Sequence, residues 1–292
     1  MLKQPRKVQP YKAALLAATI LLSSCQKGVL DPHGPVGAAE RLMLIDATVI
    51  MLAVVVPVIL LTLAFAWWFR SGNRHARYRP DWEHSPRIEV IIWAIPVLVI
   101  LFLGGIAWVG SHLLDPPRAL RSNNKPLEVQ VVSLDWQWLF IYPEQHIASL
   151  NHLVVPAGVP VSFSLTSTSV MNSFFIPQLG SQIYTMAGMT THLNLLADER
   201  GKYQGLSAQF SGEGFPDMRF DVDALPAEGF EAWVSDVRTR SGVLDAPAFA
   251  QLARPTRANG TVTYAEVSAG LFDAIAAGRW RGANAPTSLA RH

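Results

Sequence analysis

"VIMLAVVVPVILLTLAFAWWF", residues 49–69, contains no charged side chain. Crossing roughly 30 Å of hydrocarbon takes about 20 apolar residues in a helix, because each adds ~1.5 Å and the backbone groups must be satisfied within the segment. This run meets the requirement, and the uncharged stretch reaches back to Ala47. A second run, Val90–Leu114, meets it again. Each carries a proline, Pro57 and Pro96, which membrane helices tolerate where neighbouring groups satisfy the freed carbonyl. Trp67, Trp68 and Trp108 lie toward the ends, where amphipathic rings anchor at the interface. The sequence therefore predicts a membrane α-hairpin, two transmembrane helices within residues 42–114.

Composition agrees: half of the 292 residues are hydrophobic and only 16% are charged, too apolar for an ordinary soluble chain. The net charge of +2 points to no nucleic-acid partner and no strongly acidic substrate. Between the two runs, the loop at about 70–87 carries Arg70, Arg74, Arg77, Arg79 and Arg87. The positive-inside rule puts this loop in the cytoplasm and both mature termini outside. The arginines themselves read as a solvated loop face.

Upstream, Lys3, Arg6, Lys7 and Lys12 precede the apolar run AALLAATILL and then SSC, the order of a secretory signal peptide over residues 1–24. The stretch "LLSSC" resembles the lipobox of bacterial lipoproteins, which implies cleavage before Cys25 and lipidation of its thiol; an incidental cysteine after an ordinary signal is the other reading. Cys25 is the sole cysteine, so an intramolecular disulfide and cysteine metal clusters are excluded. Residues 25–41 are then an outer N-terminal segment.

Glu89 opens the second run, with Glu83 and His84 nearby. A carboxylate favoured by the helix N-terminus is one explanation; a functional ionisable group at the hydrocarbon edge is the other.

Downstream, the linker "DPPRALRSNNKP" (115–126) gives way to the short apolar runs LEVQVVSL, WQWLFIY, NHLVVPAG, VPVSFSLTST and SFFIPQLG. Turn residues separate them, which predicts an all-β Greek-key sandwich over 127–225. FEAWVSDV, DAPAFAQLA and AGLFDAIAAG have helical spacing, so short helices are expected over 226–280, followed by a disordered tail, 281–292. His112, His146, His152 and His192 are scattered, without ligand spacing.

Within "YQGLSAQFSGEGFPDM" (203–218), Ser207, Ser211, Phe215 and Met218 are spaced like metal ligands. Only the Met218 thioether is a plausible one.

Taken together, the signal or lipobox, the hairpin, the outer β-domain, "WQW" at 136–138 and "SFFIPQLG" at 173–180 resemble subunit II of the heme-copper oxidases. That resemblance implies a cupredoxin-like outer domain. In the cytochrome c oxidase branch this domain holds a dinuclear copper centre through a histidine before "SF" and a C-x-E-x-C-x-x-x-H-x-x-M loop. Here the first histidine position is Asn172, the cysteines are Ser207 and Ser211, the glutamate is Gln209, the second histidine is Phe215, and the methionine is kept as Met218. Soft thiolate and imidazole donors are what such copper needs. With those replaced, and with "MNSFFIP", "LGSQIYTMAGM", "FSGEGF" and the lipobox, the chain is similar to the quinol oxidase branch, specifically subunit II of cytochrome o ubiquinol oxidase.

The resemblance implies a bacterial inner-membrane complex that oxidises ubiquinol, reduces oxygen to water and pumps protons. Its two hemes and one copper belong to subunit I, and this chain carries no redox centre or bound metal. Its partners are then subunit I, the other subunits and membrane lipid, with ubiquinol only indirectly and neither cytochrome c nor nucleic acid. Glu89 matches the acidic residue associated with the start of a proton pathway. Trp136 and Trp138 match an aromatic patch near the copper, and read here as packing and subunit contact. Two competing readings remain, a copper-bearing cytochrome c oxidase subunit and a stand-alone envelope lipoprotein with a cupredoxin-like binding domain.

Overall fold

The computed structural model describes residues 28–77, 79–240, 242–256 and 260–280. Cys25, the signal segment 1–24 and the tail 281–292 lie outside the described residues. The chain divides into a helical unit, residues 39–115, and a second unit made of the rest.

Two helices make the helical unit, α1 (Pro35–Trp68) and α2 (Pro86–Leu113). Both start on a proline, whose missing N–H costs nothing at a first helical position. Because of Pro35, α1 begins well before the apolar run and before residue 42. Its 34 residues extend about 51 Å at 1.5 Å each, more than a bilayer's hydrocarbon needs. From Val49 onward most of the large apolar side chains are exposed, as they are along α2, a distribution suited to lipid rather than water. At Gly110, a Cβ would fall 2.6 Å from the Met43 sulfur, so the small residue lets α1 and α2 approach.

The second unit is a two-sheet sandwich. Its strands are β1 (Leu127–Ser133), β2 (Trp138–Tyr142), β3 (Ile147–Leu150), β4 (His152–Pro156), β5 (Val161–Ser167), β6 (Asn172–Ile176), β7 (Gly180–Thr185), β8 (Thr191–Leu195), β9 (Gly201–Ser207) and β10 (Arg219–Leu225). Three more follow, β11 (Val243–Leu244), β12 (Val262–Tyr264) and β13 (Glu266–Val267), interleaved with α3 (Ala227–Arg240), α4 (Ala246–Leu252) and α5 (Leu271–Ala276). One sheet runs β12-β3-β2-β1-β5-β8 and the other β4-β10-β9-β6-β7. Two parallel pairs, β1 with β5 and β4 with β10, mark where the Greek-key chain crosses over.

Aromatic rings fill the space between the sheets. Trp138 and Phe140 from β2 and Phe163 from β5 meet Phe174 from β6 and Phe220 from β10, with Phe174 stacked on Phe220 at 5.1 Å. Gly205, directly opposite Phe220 in the β9–β10 register, is there for space: a Cβ would fall 1.9 Å from the Phe220 ring.

Between β3 and β4 the chain changes sheets across a single residue. Asn151, between β3 and β4, has φ +55°, a left-handed conformation Asn tolerates better than most. Its side chain accepts from the Trp138 N–H at 2.9 Å, and its backbone donates to Trp138 and accepts from the Asp221 N–H.

Beyond residue 225 the sequence predicts helices alone, whereas the structure adds β11–β13 and recruits β12 to the edge of the six-stranded sheet. These strands are two or three residues long, too short to leave a periodic signal. The predicted aspartate cap is present, Asp245 accepting from the Ala248 N–H at 2.9 Å. The C-terminal elements cover the outer face of the six-stranded sheet, burying Leu139, Ile141 and Leu150 against Leu244, Phe249 and Phe272. Strand β2 is thus buried on both faces, which explains why WLFIY is continuously apolar rather than alternating.

Candidate functional site

The 203–218 stretch is half strand and half loop. Strand β9 ends at Ser207, a single 3-10 turn covers Phe215–Asp217, and β10 begins at Arg219. The loop closes at its base, where the Ser207 N–H donates to the Met218 carbonyl at 3.0 Å.

The fold brings three of the six positions together in the interior: Asn172 at the start of β6, Ser207 at the end of β9, and Met218 just before β10, all buried. Ser207 Oγ donates to Asn172 Oδ1 at 3.3 Å and also lies 3.3 Å from the Gln209 carbonyl. Ser211 Oγ faces the Met218 sulfur at 4.0 Å. Gln209 and Ser211 are half-buried, and Phe215 turns aside to meet Phe210, ring to ring at 5.7 Å.

Sequence reasoning missed the polar floor beneath these residues. Ser133 and Thr185 share a hydroxyl–hydroxyl bond of 2.8 Å between the two sheets, and Thr185 donates to the Asn172 carbonyl at 3.3 Å. Isolated Ser and Thr in strands carry no motif, so only the register of four distant strands reveals the network. Buried hydroxyls satisfied in this way stabilise one arrangement of the loop.

The two tryptophans of "WQW" separate. Trp138 is buried among the core rings, its Nε1 without a partner among the described residues. Trp136 lies in the turn before β2 with φ +71°, a strained value for a bulky residue. The surrounding loop holds it there: its Nε1 donates to the Ser211 carbonyl at 3.2 Å, and its ring lies so close that a Cβ on Gly214 would fall 2.2 Å from it. Trp136 is therefore the side chain that sets the loop's height above the sandwich.

Around this end runs an apolar rim that the sequence did not single out. Val170, Met171, Met189 and Phe210 are exposed, Phe210 to 71%. They belong to one end because Asn172 Nδ2 donates to the Val170 carbonyl, Thr166 Oγ1 to the Met189 carbonyl, and Phe210 meets Phe215 edge to face.

In the helical unit, Glu89 stands in the first turn of α2, its N–H donating to the Ser85 carbonyl at 3.0 Å. Its carboxylate meets His84 Nε2 at 3.4 Å, with both side chains more than half exposed. Such an exposed pair contributes little to stability.

The chain is 48% identical to the cytochrome bo(3) ubiquinol oxidase subunit 2 of Pseudomonas aeruginosa over 272 residues, 92% of this chain and 82% of that protein. It is 50% identical to ubiquinol oxidase subunit 2 of Acetobacter aceti over 264 residues, 90% of this chain and 86% of that protein. The chain belongs to the ubiquinol oxidase subunit 2 family. A family model described as "Cytochrome C oxidase subunit II, periplasmic domain" matches residues 140–225. The solved periplasmic domain of subunit II of cytochrome oxidase from Bradyrhizobium japonicum aligns with 42% of this chain and 99% of its own, at 18% identity and a TM-score of 0.39.

For a ubiquinol oxidase subunit 2, the donor set of the loop decides what the site can hold. Asn172, Ser207, Gln209, Ser211 and Phe215 supply amides, hydroxyls and a phenyl ring, and Met218 alone a soft donor. Copper in a dinuclear centre takes thiolate and imidazole, so these residues do not fit it. The Ser207 hydroxyl and the Asn172 amide are moreover engaged with each other and with backbone carbonyls.

Proposed function

We propose that this chain is the non-catalytic subunit 2 of a proton-pumping ubiquinol oxidase, in which electrons pass from ubiquinol to subunit I without entering the outer domain. The observation that carries the reading is the loop itself, a ligand-spaced loop whose donors cannot hold copper and instead hydrogen-bond one another. A soluble electron donor needs a metal relay between the docking surface and the membrane. Quinol dissolves in the bilayer and needs none.

Freed from electron transfer, the loop's role is assembly. The rim of Val170, Met171, Met189 and Phe210 is the face that meets subunit I, since exposed apolar groups clustered around one end are stabilised by burial against a partner. The arginine-rich hairpin turn faces the cytoplasm and the sandwich faces the periplasm, as the charge asymmetry requires. Glu89, on the cytoplasmic side, then sits where protons enter subunit I, with His84 as its neighbour.

The deciding experiment is oxygen uptake by the isolated complex with a ubiquinol analogue and, separately, with reduced cytochrome c, alongside copper analysis of each separated subunit. Uptake with quinol alone and no copper on this chain are expected. Cytochrome c-driven uptake with stoichiometric copper on this chain would overturn the reading.

A further inference from the structure

The turn between α1 and α2 forms a basic concavity of about 610 Å³, lined by Phe69, Arg70, Asn73, Arg77, Arg79 and Trp82 among others. Phe69 and Arg70 directly follow Trp68, the last residue of α1, so the concavity opens at the edge of the hydrocarbon. Asn73 builds it: its Nδ2 donates to the Trp68 carbonyl at the helix end, its Oδ1 accepts from the His75 N–H at 3.1 Å, and its own N–H donates to the Arg70 carbonyl at 2.9 Å. The chain is thereby folded back so that Arg70, Arg77 and Arg79 line one hollow.

Among the described residues, Arg70, Arg77 and Arg79 form no ion pair. Asp81 and Glu83 are close in sequence, but neither lines the concavity. Arg70 lies over the Trp67 ring at 5.2 Å, which holds its charge beside the aromatic belt. The end of α1 contributes about half a negative charge from its carbonyls. Against three full positive charges, the hollow remains strongly cationic.

We propose that this concavity binds the headgroup phosphate of an anionic glycerophospholipid. Guanidinium forks match phosphate oxygens in pairs, and basic residues at a membrane surface attract anionic lipid. The exposed rings of Phe69 and Trp82 offer apolar contact where the headgroup meets the acyl chains. A lipid is favoured over soluble phosphate because the hollow begins at the residue where the apolar helix ends. The bound lipid would fix the depth of the hairpin turn close to Glu89.

The test uses the assembled complex in bilayers containing either a photoreactive phosphatidylglycerol or a photoreactive phosphatidylcholine, with cross-links mapped to peptides. Phosphatidylglycerol should label residues 69–82 preferentially. Arg77→Gln and Arg79→Gln should each lower that labelling about fivefold, at the worth of one basic residue near an anionic surface, and leave phosphatidylcholine labelling unchanged. Equal labelling by both lipids, or no labelling of this peptide because another subunit covers it, would overturn the proposal. So would abolition of labelling by excess inorganic phosphate but not by chloride at the same ionic strength, which would mark a soluble-anion site. If a variant does not assemble, the ratio of the two labels on the unaltered complex still decides.

Discussion

Two side chains show how single residues hold the sandwich. Tyr142 is fully buried on β2, and its hydroxyl donates to the Val154 carbonyl at 3.0 Å while accepting the Val154 N–H at 2.9 Å. Removing that oxygen leaves two buried backbone groups unsatisfied, so Tyr142→Phe should cost about 1–3 kcal/mol. Burial also pushes the phenol well above the ordinary tyrosine range, against smaller opposing effects of its hydrogen bonds to Val154 and Ser149. The folded state then keeps its proton when the unfolded state has lost it. The associated stability is complete below a pH of about 10 and falls as the pH rises beyond it, by ~1.4 kcal/mol per unit. Urea titrations of the full chain in detergent, with tryptophan fluorescence as readout, should show a weaker alkaline loss in Tyr142→Phe than in the unaltered chain. An identical loss in both would remove Tyr142 as the cause. Asn151 makes a second case, because it combines a left-handed backbone with a hydrogen bond to Trp138. Asn151→Ala loses both the bond and the tolerance, about 2–3 kcal/mol together, whereas Asn151→Gly loses only the bond. Denaturation midpoints should therefore order Asn, Gly, Ala; a glycine variant weaker than alanine would contradict the role given to the backbone.

At the scale of elements, what the sequence made legible depended on how far each signal reached. The two apolar runs could be read because lipid demands about 20 consecutive apolar residues, and the strands because turn residues punctuate them. The start of α1 at Pro35 was not legible from hydropathy, since Glu40, Arg41 and Asp46 separate its first turns from the long apolar run. Nor were β11–β13, whose pairing depends on distant partners such as β3 and on packing against α4 and α5. At the site, the loss of the copper donors was written in the chain, but the Ser133–Thr185 bond and the placing of Trp136 over Gly214 needed the register of both sheets. The C-terminal elements lead to a prediction of their own. Ending the chain at Leu225 would expose Val132, Leu134, Leu139, Ile141 and Leu150 on the outer face of the six-stranded sheet. At about 1.5–3 kcal/mol for each large aliphatic side chain, the loss rivals the 5–15 kcal/mol that ordinarily holds a domain together. The shortened chain should become protease-sensitive and fail to accumulate in the membrane. Recovery of a protease-resistant shortened subunit in normal amount would mean that the C-terminal elements are an accessory rather than part of the core.

For the whole molecule, the two units divide the work. The sandwich matches the periplasmic domain of cytochrome c oxidase subunit II over residues 140–225, while its loop is committed to hydrogen bonds and an apolar rim, so under the proposed function its contribution to turnover is indirect. The hairpin holds Glu89, whose exposed pairing with His84 contributes too little to folding for stability alone to explain a carboxylate beside hydrocarbon. A change at Glu89 should consequently act on the reaction and spare the fold. Glu89→Ala is expected to slow quinol-driven oxygen uptake about tenfold, equivalent to ~1.4 kcal/mol on the limiting barrier, while subunit stoichiometry and heme content of the purified complex stay normal. Glu89→Asp, which keeps the carboxyl group, should recover much of the rate. Proton uptake measured on single turnovers separates this from a merely structural effect, since a blocked path delays the steps coupled to that uptake and leaves quinol binding unaltered. Full turnover in an assembled Glu89→Ala complex would remove the residue from the proton path and leave the helix-terminus interaction as its whole role.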